Sequence, residues 1–422
     1  MLEAVIVLVV LGLLGFPLWL TLAGAAIAGI WFGTQVPMEV IPQLMYGSLA
    51  QYVLLAVPGF ILAGEIISKS GLALRLTDWI SSLVGRVPAN RPMTTIGVAE
   101  AFGAISGSSP ATVAALGKVL LPSLRKGGYS ESFSLGLITS SGAIASLIPP
   151  SITMILYSAA TDTSLGDLFI AGVVPGLLVG AGLAVYSLWY TFRHKIRDTD
   201  ASMSLKTIAT ATARASLALG VPIIVFGGIY TGIVTATEAS GIVALYAALV
   251  GFRYGMRPRD LLMAARDAAE LSAKIFIIVA AAGLFAFFLT VSGVPASAAT
   301  FVAGIDMSPW MIILIINILL LIVGMFIDPA SAVLVLAPIL LPIAAGLGVD
   351  PIHFGVIMTL NLALGMFTPP IGLNIFVSAS IFNVSASKVS TSVMPFIAVT
   401  LVVLLLVTYL PVTSLWLVNT MR

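Results

Sequence analysis

No cysteine occurs among the 422 residues, and the only two histidines, His194 and His353, stand far apart. A thiol nucleophile and a disulfide framework are therefore excluded, and a zinc cluster has too few ligands. Charge is scarce as well: Asp, Glu, Lys and Arg make up 9% of the chain, where ~25% is usual in a water-soluble domain. No G-x-x-x-x-G-K-[ST] run is present to cradle a phosphate, and no catalytic triad is suggested. The net charge of +2 gives no argument for a nucleic-acid partner. Neither an enzyme activity nor an organic cofactor is expected. What is abundant is apolar sequence, 59% of the chain, which describes a polytopic helical protein of the lipid bilayer. Its simplest task is to move something along or against a gradient.

The stretch Phe102 to Pro122, FGAISGSSPATVAALGKVLLP, reads as a hairpin of two half-length helices meeting at a polar tip. Arg91 and Arg125 bracket it, and Ser106-Gly107-Ser108-Ser109-Pro110 divides it into arms of about 14 residues, ~21 Å each. The hydrocarbon core is ~30 Å thick, so the chain is expected to enter and leave by the same side. Irregular backbone at that depth is tolerated only where protein buries it or a polar cavity adjoins it. A tip of hydroxyls and glycines is thus expected to form a site, its oxygens converging on a small cation or an organic anion.

Taken in order, Val5 to Trp31 reads as one retained span, its apolar run exceeding the roughly 7–15 residues of a signal peptide. Gln43 to Ile67 reads as a second, with Glu65 either buried for function or paired with Lys69. Gly71 to Val84 sets Leu72, Leu76, Trp79 and Ile80 at helical spacing against Arg75 and Asp78, an amphipathic helix at the interface. Leu135 to Tyr157 must break at Pro149-Pro150, where neither ring supplies an amide hydrogen. After the span Leu168 to Tyr190, the polar run from Arg193 to Lys206 is the obvious linker. Spans at Leu217 to Tyr230 and Ile233 to Phe252 follow, with Glu238 in a helix N-terminal or interface role; then come a basic amphipathic stretch, Arg253 to Glu270, and an apolar one, Lys274 to Val291. Asp306, Asp328 and Asp350 are equally spaced and would bracket a second hairpin tipped by Asp328-Pro329-Ala330-Ser331.

Laid on itself at an offset of 220, the chain matches Leu120-Leu121-Pro122 with Leu340-Leu341-Pro342, Thr139 with Thr359, and Pro149-Pro150 with Pro369-Pro370. Ser158 with Ser378 and Pro175 with Pro395 continue the match, which argues for duplication. Arg86, Arg91, Arg125 and Lys126 flank the first hairpin, while the second has aspartates at its feet. By the positive-inside rule the two open to opposite sides. The expected architecture is all-α with inverted-topology repeats, two re-entrant hairpins and two broken helices, as in secondary transporters that move a midplane site across the bilayer. One half is expected over 1–197, with a hairpin at 92–124 and a broken helix at 130–160. A cytoplasmic linker, 198–206, leads to the other half, 207–422, with its hairpin at 307–349 and broken helix at 351–382. Counting spans places the N-terminus in the cytoplasm and the C-terminus outside.

These motifs resemble the large membrane subunit of the tripartite ATP-independent periplasmic (TRAP) transporters, the DctM-like family. The residues that carry the resemblance are Ser106-Gly107-Ser108-Ser109 with Ala111-Thr112 and Ala114 to Gly117, and Gly365-Met366-Phe367-Thr368-Pro369-Pro370-Ile371-Gly372-Leu373-Asn374. Gly232 to Ala239 is similar to the family's T-P-T-E-A segment, with Ala236 where proline is usual. The resemblance implies a multi-pass protein of the bacterial inner membrane that works as a Na⁺-coupled elevator. It also implies a separate four-span membrane subunit as partner and a periplasmic binding protein that delivers a C4-dicarboxylate, sialic acid or another sugar or keto acid. Carried over residue by residue, it implies one site for the co-transported Na⁺ from Ser106, Gly107 and Ser108 with the break at Gly142. A second Na⁺ site would come from Asp328 with Gly365 and Thr368, and Thr153 and Asn374, with Ser109, would meet the substrate. The alternative is a self-sufficient Na⁺- or H⁺-coupled carboxylate transporter that needs no binding protein. A structural subunit of an energy-converting complex would carry lysines and glutamates strung through its mid-membrane helices, which this chain does not.

Overall fold

The computed structural model describes residues 1–85, 87–198, 204–304 and 306–421. Arg86 and the interior of the expected linker lie outside them. The described residues contain no β-strand. Three short helices open the chain, α1 (Leu2–Leu13), α2 (Leu18–Gly33) and α3 (Val40–Leu49), followed by α4 (Ala56–Lys69) and the arm helix α5 (Leu72–Val84). The first hairpin is α6 (Asn90–Ser106) and α7 (Ser109–Lys126). Its broken helix is α8 (Glu131–Ser141) and α9 (Ile152–Thr161), and α10 (Leu165–Arg193) closes the half. Then come α11 (Leu205–Tyr230), α12 (Ala236–Arg253), α13 (Pro258–Val291) and α14 (Val294–Ala303). The second hairpin is α15 (Pro309–Phe326) and α16 (Pro329–Gly346), and its broken helix is α17 (Pro351–Gly365) and α18 (Leu373–Phe382). α19 (Ala386–Tyr409) and α20 (Val412–Met421) end the chain. Seven helices among the described residues are long and apolar enough to cross a membrane.

Several expectations change. Val5 to Trp31 is two helices, because Gly15 takes φ +77 and Pro17 cannot extend α1. Gln43 to Ile67 is also broken, at Ala50–Gln51. Conversely, Arg253 to Glu270 and Lys274 to Val291 are joined: from Pro258 onward they form one helix of 34 residues, ~51 Å long. The first hairpin's arms are 17 and 18 residues, longer than expected, since the polar feet at Asn90–Arg91 and Arg125–Lys126 continue the helices. Glu238 completes a capping box with Thr235, the helix N-terminal role its position suggested.

The offset of 220 seen in the sequence reappears as a correspondence of helices. Adding 220 to α6 through α10 lands on α15 through α19 within a few residues at each boundary, and the arm helix α5 lands on α14. The duplication therefore extends well beyond the matched residues themselves. Both paired prolines fall in the breaks between the half-helices.

The two hairpins enter from opposite ends of the bundle, and α19 measures the separation. Lys388 in its first turn pairs with Glu131 at the start of α8, beside the feet of the first hairpin. Thr408, in its last turn, offers its carbonyl to His353 Nε2 at 3.3 Å, at the start of α17 beside the feet of the second. Those contacts are ~30 Å apart along the helix. Lys388 and Arg125 hold the Glu131 carboxyl below the ordinary glutamate range, so this tie is present through neutral pH and is lost only as pH falls through that lowered value. At the same end Asp198 is buried, its carboxylate accepting from the Arg91 backbone amide at 2.9 Å and from Tyr129 Oη at 3.2 Å. The polar run that read as the start of a solvated linker is thus anchored to the hairpin foot.

α4, α12 and α13 pack together with α2 and α3 as a separate frame. Lys69 at the end of α4 pairs with Asp267 of α13, marking the basic end. Phe288 lies 21 residues farther along α13, ~31 Å away. It packs with Ala4, Ala26 and Ile30, and Met1 lies beside Gly33. The N-terminus is therefore at the end opposite the basic one. The expected cytoplasmic N-terminus rested on one span from Val5 to Trp31, and that count does not hold.

Candidate functional site

At the first tip, α6 stops because Gly107 turns left-handed at φ +58, and extended Ser108 leads into α7 with Pro110 in its first turn. Ser106 Oγ lies 2.9 Å from Thr112 Oγ1, which donates to the Ser108 carbonyl at 2.8 Å, so the loop is closed by its own hydroxyls. Gly107 sits directly over the broken helix: a Cβ there would lie 2.1 Å from the Pro150 carbonyl oxygen. Thr112, in the sequence only one member of the Ala111-Thr112 motif, holds the tip's geometry. In the first break, α8 tightens into a 3₁₀ turn over Gly142–Ser146 before the paired prolines, and Ser151 caps α9 by accepting from Met154 N at 3.3 Å.

At the second tip, Asp328 is the N-cap of α16: its carboxylate accepts from Ser331 N at 3.0 Å and Ser331 Oγ at 2.5 Å. Each oxygen keeps a lone pair for a further partner. Gly365 is a packing residue, since a Cβ there would lie 2.4 Å from the Gly324 backbone of α15. Thr368 Oγ1 donates back to Leu364 O at 2.7 Å.

Several contacts join the two halves, among them Thr139 Oγ1 with Ser378 Oγ at 2.7 Å, and one of them, an amide, reaches the first tip. Asn374, fully buried at the start of α18, donates from Nδ2 to Ser109 Oγ at 2.7 Å and to Thr139 O at 3.3 Å, and Gly142 packs against the same group. Among the described residues its Oδ1 is buried without a hydrogen-bond partner, as is Ser141 Oγ next to Gly142.

In front of this junction lies a cavity of 280 Å³ lined by both tips. Of the residues expected at the site, Gly107, Ser108, Ser109, Thr153 and Asp328 are on its wall. Asn374 and Gly142 lie behind Ser109, while Gly365 and Thr368 take no part in the lining. The frame supplies the facing wall from one side of α13, and with it Lys274, the one Lys or Arg there among the described residues. Lys274 is 67% exposed and donates to Glu270 Oε1 one turn away at 2.7 Å, so its ammonium is accessible to a second anion. Sequence reasoning used Lys274 only as a boundary of an apolar run. The clue was available: it is the last cation before Lys388, more than 100 residues on, and it stands inside an apolar helix.

The sequence pattern of the tripartite ATP-independent periplasmic transporter DctM component matches residues 5–413. The chain is 40% identical over 377 residues to the C4-dicarboxylate TRAP transporter large permease DctM of Pseudomonas aeruginosa, covering 89% of this chain and 88% of that one. It is 38% identical over 399 residues to the isethionate TRAP transporter permease DctMQ of Oleidesulfovibrio alaskensis, where the match covers 94% of this chain and spans 63% of the relative's length. In fold it is similar to the YdaH transporter of Alcanivorax borkumensis, with a TM-score of 0.61 at 14% identity over 92% of this chain and 90% of that one. With hairpins, breaks and paired prolines all inside the matched region, the chain belongs to the DctM family, the large membrane permeases of bacterial TRAP transporters.

Proposed function

We propose that this permease carries a small organic anion inward together with Na⁺, by moving the hairpin body along the frame. The observation that supports this most is the meeting of two polar tips, from opposite ends of the bundle, in one 280 Å³ cavity against Lys274. The N-termini of α7 and α9 carry partial positive charge toward an anion, and Lys274 adds a full one. Ser109 and Thr153 supply hydroxyls that hydrogen-bond an anionic headgroup without burying a second charge, while Ser108 goes with the cation at the first tip. For the cation, the unpartnered oxygens Asn374 Oδ1 and Ser141 Oγ beside Gly142 are suitable acceptors in search of a positive partner. On the other side, Asp328 offers the same chemistry.

Movement is supported by the facing surfaces. Above the tips the body faces the frame across a small cavity of 130 Å³, walled by Ala159, Ala160, Leu334 and Pro338 on one side and Val279, Ala282, Gly283 and Ala286 on the other, with Ser48 and Gln51 as the polar members of a largely apolar lining. The positive-inside rule puts the basic end in the cytoplasm and the N-terminus outside. The tips then rest on the cytoplasmic half of α13, the inward-facing position. A four-span partner subunit and a periplasmic binding protein complete the transporter. The two relatives carry the names of a sulfonate and a dicarboxylate at nearly equal identity, so the cargo is assigned here only as a small organic anion.

Uptake into proteoliposomes tests the reading, with and without a Na⁺ gradient and with and without the binding protein. Ser108→Ala and Asp328→Ala are expected to weaken the Na⁺ dependence of uptake more than they lower expression, by ~10-fold for one charge-assisted contact. An unchanged Na⁺ response in both variants would remove the ion-site assignment. Uptake without the binding protein would favour a self-sufficient carrier.

A further inference from the structure

A groove of 970 Å³, remote from the transport cavity, lies at the basic end between the arm helix α5 and the first turns of α11. Among the described residues three cations line it, Arg75, Lys206 and Arg214, against one carboxylate, Asp78. Hydroxyls such as those of Ser82 and Thr210 lie between them, and exposed Leu74 adds an apolar edge. Lys206 and Arg214 make no side-chain ion pair or hydrogen bond among the described residues. Arg75 lays its guanidinium over the Tyr254 ring, 3.9 Å from the centroid. Stacked on its face, that group keeps its N–H edge for an acceptor. The two walls are already clipped together beside the groove, Trp79 Nε1 donating to Thr212 Oγ1 at 3.1 Å.

Net positive charge, hydroxyl donors and an apolar lip at a membrane surface together match one chemical class, an amphiphile with a phosphate head. We infer that the groove binds the phosphate headgroup of an anionic phospholipid, with Lys206, Arg214 and Arg75 around the phosphate and an acyl chain against Leu74. The place gives the binding a consequence. α5 is the link between α4 of the frame and α6 of the first hairpin, and a headgroup bridging α5 to α11, which packs on α12, fastens that link to the frame. Anionic lipid therefore stiffens the joint on which the hairpin body turns. The binding itself does not depend on the proposed cargo or its Na⁺ coupling.

The permease, purified with its partner subunit, is delipidated and reconstituted in nanodiscs of phosphatidylglycerol or phosphatidylcholine, and retained lipid is counted by native mass spectrometry. The wild type is expected to keep phosphatidylglycerol in preference to phosphatidylcholine by roughly tenfold or more, the scale of two basic side chains at an anionic surface. Lys206→Gln with Arg214→Gln is expected to abolish the preference. Lys206→Arg with Arg214→Lys should restore it, and Arg259→Gln, at the same end but outside the groove, should leave it intact. Equal retention in the double glutamine variant, with its elution profile unchanged, would overturn the site. Displacement of the lipid by millimolar inorganic phosphate would instead make it a soluble-anion site and overturn the lipid assignment. Uptake gives a separate readout: a transport defect with the lipid preference intact would bear on the cargo reading alone.

Discussion

Gly107→Ala is expected to cost this permease most of its uptake while it still inserts and assembles with its partner. Two effects combine at that position. The left-handed backbone at φ +58 is expensive for any residue with a Cβ, about 1–2 kcal/mol. The Cβ would also sit 2.1 Å from the Pro150 carbonyl oxygen, a backbone atom that cannot swing aside. Overpacking of this kind costs about 1–3 kcal/mol. At 1.4 kcal/mol per factor of ten, the two lower the population of the seated tip by roughly 30-fold to several thousand-fold. The tip, not the bundle, absorbs the change, because the displaced loop lies next to a cavity. Gly346→Ala is the control, since no atom lies within 4 Å of its Cβ and its φ is ordinary. Initial rates of uptake, alongside thermal unfolding of the purified complex, separate tip from fold. Wild-type rates in Gly107→Ala would mean that the tip does not need to seat on the first break.

Lys274→Gln is expected to weaken anion binding from the basic side by ~10-fold, with Lys274→Arg close to wild type. A charge-assisted contact is worth about 1.5–3 kcal/mol when desolvated. The lower end applies here because the side chain is largely exposed and water screens it. The neighbouring acid gives a second test of opposite sign. Glu270 competes for the same ammonium, so Glu270→Gln should tighten binding, and the double variant should resemble Lys274→Gln alone. Titration of radiolabelled substrate into the detergent-solubilised complex at low and high salt measures both. The salt dependence should shrink in Lys274→Gln. If affinity and salt response stay the same in both single variants, Lys274 faces the cavity without touching the cargo.

Much of the architecture could be read from the sequence because membrane proteins obey few and strong rules. A proline pair inside an apolar run breaks a helix whatever surrounds it, and its recurrence at Pro369-Pro370 exposed the duplication. Charge around Arg91 and Arg125 marked one set of feet. Hydropathy was less informative where a turn hides inside apolar sequence. Gly15 to Pro17 ends one helix and starts another without lowering the hydrophobicity, so a helical pair looked like a single span. At the site, tip residues were legible because serine, glycine and aspartate are conspicuous in apolar surroundings. Gly365 was just as conspicuous, yet it serves the contact between α17 and α15, a role no single sequence separates from ion binding. Lys274 escaped because its meaning lies in what faces it, a tip more than 50 residues away on one side and more than 150 on the other.

The amide of Asn374 belongs to one repeat and rests on the other. Under the Na⁺ coupling proposed above, two gates that answered separately could let an ion slip through without its companion, and the gradient would drain. With a shared side chain wedged between them, loosening either gate would disturb its twin, and on that proposal a half-loaded carrier would stall before it leaked. Slow turnover under poor supply, rather than wasted gradient, is the cost such a joint imposes.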